Sequence, residues 1–130
     1  SKLKTAGELM LTKKKIPYIN EEQKMKNALK VLSAKKLGFL VVTNPARLTT
    51  GVFTDGDLKR LMRRRRKIDH LKIKYYMTKK PLSVEENMLG SDVLTLMNKK
   101  KITNICVYNK LNKQKTIGVL HIHDLLKNLK

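Results

Sequence analysis

The chain repeats itself, and nothing else in the sequence constrains the fold as strongly. Lys35-Lys36-Leu37-Gly38-Phe39-Leu40-Val41-Val42 lines up with Lys100-Lys101-Ile102-Thr103-Asn104-Ile105-Cys106-Val107. Further on, the stretch from Thr49 to Leu58 lines up with the stretch from Thr116 to Leu125, after a turn two residues longer in the second copy. Upstream, Glu21 matches Glu86 and Leu29 matches Leu94. The alignment predicts one repeat over residues 5–62, a basic linker over 63–71 and a second repeat over 72–130.

Each copy carries the same pattern. A short extended piece (17–19; 82–84) precedes a helix. Its apolar face is Met25, Ala28, Leu29 and Leu32 in one copy and Leu89, Val93, Leu96 and Met97 in the other, at helical spacing. An apolar strand follows (39–43; 105–108), then a turn with Asn44-Pro45 or with residues 109–115. A second strand (50–54; 117–121) leads into a closing helix that starts near Asp55 or Ile122. The prediction is an α+β fold of two β-α-β-β-α repeats. Neither copy is long enough to build a comfortable core alone, so the two are expected to pack as a pseudo-twofold pair.

Charge bounds the partners. The chain has 130 residues, with 30 Lys or Arg against 10 Asp or Glu, a net charge of +20. That favours anions: nucleotides, phosphosugars, nucleic acid or acidic membrane surfaces. No apolar run reaches the roughly 20 residues of a membrane span. The one cysteine, Cys106, excludes an internal disulfide framework and points to a reducing, cytoplasmic setting. No signal-peptide pattern opens the chain, and a first residue that is Ser1 rather than Met suggests a fragment.

One dense basic patch runs from Lys59 to Lys74, through Arg60, Arg63, Arg64, Arg65, Arg66, Lys67 and Lys72, opposed only by Asp69. Such a run binds phosphate backbones or is simply a solvated helix end. Single-strand nucleic-acid readers add aromatic stacking platforms. Here Trp is absent and the aromatics are not interleaved with the patch, which argues against nucleic acid.

The duplicated unit, ending Gly51-Val52-Phe53-Thr54-Asp55-Gly56-Asp57-Leu58 in one copy and Gly118-Val119-Leu120-His121-Ile122-His123-Asp124-Leu125 in the other, resembles the CBS domain pair over essentially the whole chain. With Lys100-Lys101-Ile102-Thr103-Asn104 and Tyr76-Met77-Thr78-Lys79-Lys80-Pro81, it is similar to the C-terminal part of bacterial arabinose-5-phosphate isomerases, which join a SIS domain to a CBS pair. The resemblance implies a regulatory or assembly module whose catalytic SIS domain is absent from this stretch. The parent would interconvert ribulose 5-phosphate and arabinose 5-phosphate in Kdo and lipopolysaccharide biosynthesis. No cofactor is implied as required. The implied ligands are AMP, ADP or ATP, or a pathway nucleotide sugar such as CMP-Kdo, held in clefts between the repeats.

The resemblance implies that Asp57 and Asp124 accept hydrogen bonds from ribose hydroxyls, with Thr54, Asp55 and the helix start holding phosphate. The alternative for Thr54 and Asp57 is a capping box. His121 replaces the threonine in the second copy, which degrades that cap and puts phosphate binding there in doubt. Ile16, Pro17 and Tyr18 would line the base pocket, or form a plain edge strand tolerating Pro17. Gly38, Phe39, Thr103 and Asn104 stand at the strand starts facing the same clefts, although Phe39 equally suits the core. His121 and His123 share a strand face and suit contact with an anionic ligand or with the SIS domain. No third ligand beyond Asp124 supports a metal site. No nucleophile–base pair or carboxylate dyad is legible, so no catalytic residue is expected.

Three functions compete: a ligand-sensing module, an assembly module that self-associates through its CBS pairs, burying the helix faces near Leu58, Leu61 and Leu125, and a nucleic-acid-binding domain. The equivalence of Asp57 and Asp124 favours the first.

Overall fold

The computed structural model describes residues 3–129. In chain order the elements are α1 (Ala6–Leu9), β1 (Tyr18–Asn20), α2 (Met25–Lys35), β2 (Phe39–Thr43), β3 (Thr49–Thr54) and α3 (Asp55–Arg64), then β4 (Thr78–Lys79), β5 (Ser83–Glu85), α4 (Gly90–Lys100), β6 (Asn104–Tyr108), β7 (Gly118–His121) and α5 (Ile122–Asn128). The expected α+β class and both β-α-β-β-α runs are present.

The repeat holds residue by residue. β1 pairs parallel with β2 and β2 antiparallel with β3, with Val41 opposite Val52. β5 pairs parallel with β6 and β6 antiparallel with β7, with Cys106 opposite Val119, the aligned residues of the second copy. Both middle helices end on a left-handed lysine, Lys36 and Lys101, each at φ 57. That conformation usually selects glycine, so two equivalent lysines carry the same backbone cost.

The chain divides into two compact units. One is residues 17–81, and the other combines residues up to 16 with those from 82 onward. In the first, Met25, Ala28 and Leu32 of α2 join Leu40, Val42 and Phe53 in one core. In the second, Val93 and Met97 of α4 join Ile105, Val107 and Leu120. Each fully buried side chain of this size contributes about 1.5–3 kcal/mol.

The two compact units are not identical with the sequence repeats, expected at 5–62 and 72–130 with a linker at 63–71, because short segments are exchanged. Residues 4–11 dock on the second repeat: Lys4 O accepts from Gly90 N at 2.8 Å, and Gly7 N donates to Glu86 O at 2.8 Å. Residues 71–78 dock on the first: Leu71 O accepts from Met25 N at 2.6 Å, and Lys74 N donates to Glu21 O at 3.1 Å. The bonds from Met25 N and Gly90 N satisfy the first N–H groups of α2 and α4, and they explain how these helices begin without any side-chain cap at Lys24 and Leu89. The stretch 63–71 is more than a linker, since Ile68 and Leu71 are buried in the first core.

The exchange also accounts for the glycine of each Gly-apolar-apolar run. β4 pairs with β3, placing Lys79 opposite Gly51, and Leu11 bridges Val119 in the other unit. A Cβ on Gly51 would meet Thr78 O at 2.6 Å and Met77 Sδ at 2.7 Å; one on Gly118 would run into Met10 Sδ. One methionine thus covers each glycine.

Of the helix faces near Leu58, Leu61 and Leu125, expected to be covered by a second copy, Leu61 and Leu125 are buried within their own units and Leu58 is half-buried. Their solvent-facing neighbours are Met62, 61% exposed, and Leu126, 46% exposed.

Candidate functional site

The first unit gathers most of its expected residues at the junction of β3 and α3. Phe39 stands opposite Thr54 in the ladder. Gly38, at φ 76, accepts from Asp55 N at 2.9 Å, and a Cβ there would come within 3.0 Å of the Asp55 carboxylate. Pro17 O accepts from Val41 N, and Tyr18 opens the edge strand. Phe39 is 2% exposed, so its ring is a core group in this structure.

Asp57 is heavily engaged. Its Oδ2 accepts from Thr54 N at 2.9 Å while its own N–H donates to Thr54 Oγ1 at 3.0 Å, a complete capping box. Arg60 Nη2 donates to Oδ1 at 2.7 Å, and Thr78 Oγ1 lies 3.2 Å from both oxygens. Arg60 was one helical turn from Asp57 in the sequence and so within foresight. Thr78 was not, because only the exchanged strand β4 delivers it.

The second unit repeats the junction with different chemistry. Thr103 O accepts from Ile122 N at 2.8 Å, as Gly38 O does from Asp55 N, and Asn104 stands opposite His121. The helix cap is remade rather than lost: His121 Nδ1 accepts from His123 N at 3.1 Å. The two rings face one another with centroids 5.0 Å apart. Burial and then the neighbouring His123 push the His121 pKa down, against a smaller opposing pull from Asp124. The side chain of Asp124 carries no described hydrogen bond or ion pair, unlike that of Asp57; its backbone carbonyl accepts from Asn128 Nδ2 at 2.7 Å. Ile16, the last residue of this unit's N-terminal segment, is 4% exposed.

Cys106 is buried on β6, and burial raises its thiol pKa to about 12, only partly offset by a hydrogen bond with Thr116. Such a thiol is a small apolar side chain rather than a nucleophile. Among the described residues no helix is long and apolar enough to cross a membrane.

The CBS domain family model matches residues 6–71 and again 73–130. Arabinose 5-phosphate isomerase KdsD of Salmonella typhi is 33% identical over 93% of this chain, and that of Escherichia coli strain K12 is 31% identical over the same share. The chain spans 36% of the length of these relatives. The CBS domain pair of protein MJ0100, solved in complex with 5-methylthioadenosine and S-adenosyl-L-methionine, superposes with a TM-score of 0.84 at 15% identity, covering 98% of this chain and 97% of that one. CBSX2 in complex with AMP superposes at 0.79 and 22% identity, covering 97% and 96%. At these identities the likeness is one of fold.

Proposed function

Because the chain belongs to the CBS domain family, we propose that it is the regulatory ligand-binding module of an arabinose-5-phosphate isomerase acting in Kdo and lipopolysaccharide biosynthesis. Its ligand is an adenine nucleotide or a pathway nucleotide sugar such as CMP-Kdo. The observation that carries this reading is the repeated strand-to-helix junction, which sets an aspartate at the same helical position in both copies. Asp124 is the readier acceptor for ribose hydroxyls, since its carboxylate has no described partner, whereas Asp57 must release Arg60 or Thr78 first. Thr54, Asp55 and Gly38 with Pro17 and Tyr18 serve one ligand, and Ile16, Thr103, Asn104, His121 and His123 the other. The complexes of MJ0100 and CBSX2 with adenine-containing ligands support this chemistry. The isomerase chemistry belongs to a SIS domain of the parent enzyme, and the free buried thiol of Cys106 suits a cytoplasmic setting.

The test is a thermal-shift screen of the chain against AMP, ADP, ATP, CMP and CMP-Kdo. A ligand at a hundred times its Kd stabilises the native state by about 2.7 kcal/mol and raises Tm accordingly. No shift with any of the five would remove the sensing role. A second reading, self-association, is favoured by the exposed Met62 and Leu126. Light scattering that shows only monomer at high micromolar protein would remove it.

A further inference from the structure

The basic run between residues 59 and 74 does not form one continuous charged face. Lys72 and Lys74 both pair with Glu22, at 3.1 and 2.8 Å. Arg60 pairs with Asp57. Arg64 and Arg65 have no carboxylate partner among the described residues.

Helical spacing sets Asp57, Arg60, Leu61 and Arg64 along one face of α3. At Arg65 the chain leaves the helix in extended conformation, φ −140 and ψ 142. It then returns through the buried Ile68, Leu71 and Ile73. That return brings Tyr75 and Tyr76 against the arginines, contrary to the separation of aromatics and charges read from the sequence. The result is a cavity of about 530 Å³ lined by Arg60, Arg64 and Arg65 together with the two tyrosines. The Arg65 guanidinium lies over the Tyr76 ring, 5.7 Å from its centroid. Leu61 and Asp57, the one carboxylate, complete the lining.

We propose that this cavity is a binding site for a phosphorylated small molecule, whose phosphomonoester or diphosphate group is gripped by Arg60, Arg64 and Arg65. Three guanidiniums against one carboxylate leave a local excess of two positive charges, which matches a phosphoryl dianion. Guanidinium forks bind such oxygens bidentately, and the volume is that of a small-ligand pocket. A nucleic-acid strand fits less well. The lysines that would continue its track are occupied by Glu22, and the arginines converge on a cavity instead of following a groove. The site shares Asp57 with the proposed ribose contact but does not rest on it, and it makes the opposite prediction for Asp57.

The experiment is calorimetric titration of the chain with inorganic pyrophosphate at 0.15 M salt, which screens diffuse attraction. Saturable binding is expected. Arg64→Gln and Arg65→Gln should each weaken it about tenfold, and together about a hundredfold. The double variant Lys99→Gln/Lys100→Gln, which removes the same charge from an exposed helix end, should leave affinity within about twofold if the field is local. Asp57→Asn should tighten pyrophosphate binding, whereas a ribose contact at Asp57 has it weaken nucleoside binding. Four results would overturn the proposal: no saturable binding, equal weakening by the two double variants, weaker binding in Asp57→Asn, or a single-stranded oligonucleotide captured through Arg64 and Arg65 while pyrophosphate is ignored. All these positions except Asp57 are exposed, and Tm of each variant confirms that it folds.

Discussion

Arg60 reaches back one helical turn and sets its Nη2 2.7 Å from Asp57 Oδ1, so the carboxylate closes the helix cap and anchors an arginine at once. Its counterpart Asp124 does neither. The two aspartates are equivalent in sequence and unequal in energy. Asp57→Asn should cost about 1–2 kcal/mol, from the weakened cap and the lost ion pair at a side chain only 11% exposed. Asp124→Asn should cost a few tenths of a kcal/mol, through the helix dipole alone. Urea unfolding of the two variants compares them, and equal losses would refute the assigned difference.

Gly51→Ala and Gly118→Ala should each destabilise by about 1–3 kcal/mol, since a methyl group enters occupied space. The remedies differ. Around Gly118 the three nearest atoms all belong to Met10, so Met10→Ala should recover part of the loss in Gly118→Ala. Around Gly51 the nearest atom is the backbone oxygen of Thr78, so Met77→Ala should not recover Gly51→Ala. Rescue in both cases would make Met77 the obstacle at Gly51 as well, and rescue in neither would show that Met10 is not what selects Gly118.

His121 caps α5 through a neutral imidazole, and its folded pKa lies below the ordinary value of 6.5. The unfolded chain therefore takes up the proton first. The contribution is complete above pH 6.5 and is lost as pH falls from there through the lower folded value. Chemical denaturation from pH 7.5 to 5 should show stability falling. His121→Asn, which caps without titrating, should reduce that slope. An unchanged slope in the variant would exclude His121 as its source.

Cys106 should resist thiol reagents at pH 8, because its thiol, raised to about 12, is almost wholly protonated and buried. Labelling should then follow the unfolding equilibrium and accelerate with denaturant in step with it. Rapid labelling of the native chain would contradict the buried placement.

Much of the fold was legible because the repeat is written in side chains. Met25, Ala28 and Leu32 announce a helix face, and the residues of β2 announce a central strand. The exchanged segments were not legible. The bonds from Met25 N to Leu71 O and from Gly90 N to Lys4 O are backbone contacts between distant residues, and no side-chain pattern marks them. At the site, Thr54 and Asp57 could be read as a local motif, three residues apart. Thr78 and Tyr76 could not, since their place beside α3 depends on where the chain returns. Nor could the capping by His121, because a histidine in that position carries no strong propensity to cap.

The exchange bears on ancestry. A solitary copy of this unit would carry its leading segment with nothing of its own to dock it on, and its α2-like helix would begin on bare N–H groups. Such a chain would be complete only beside a twin, each lending its first residues to the other. A chain severed between Arg65 and Ile68 should accordingly yield two halves that reassemble on mixing, since neither half holds both partners of its own clasp.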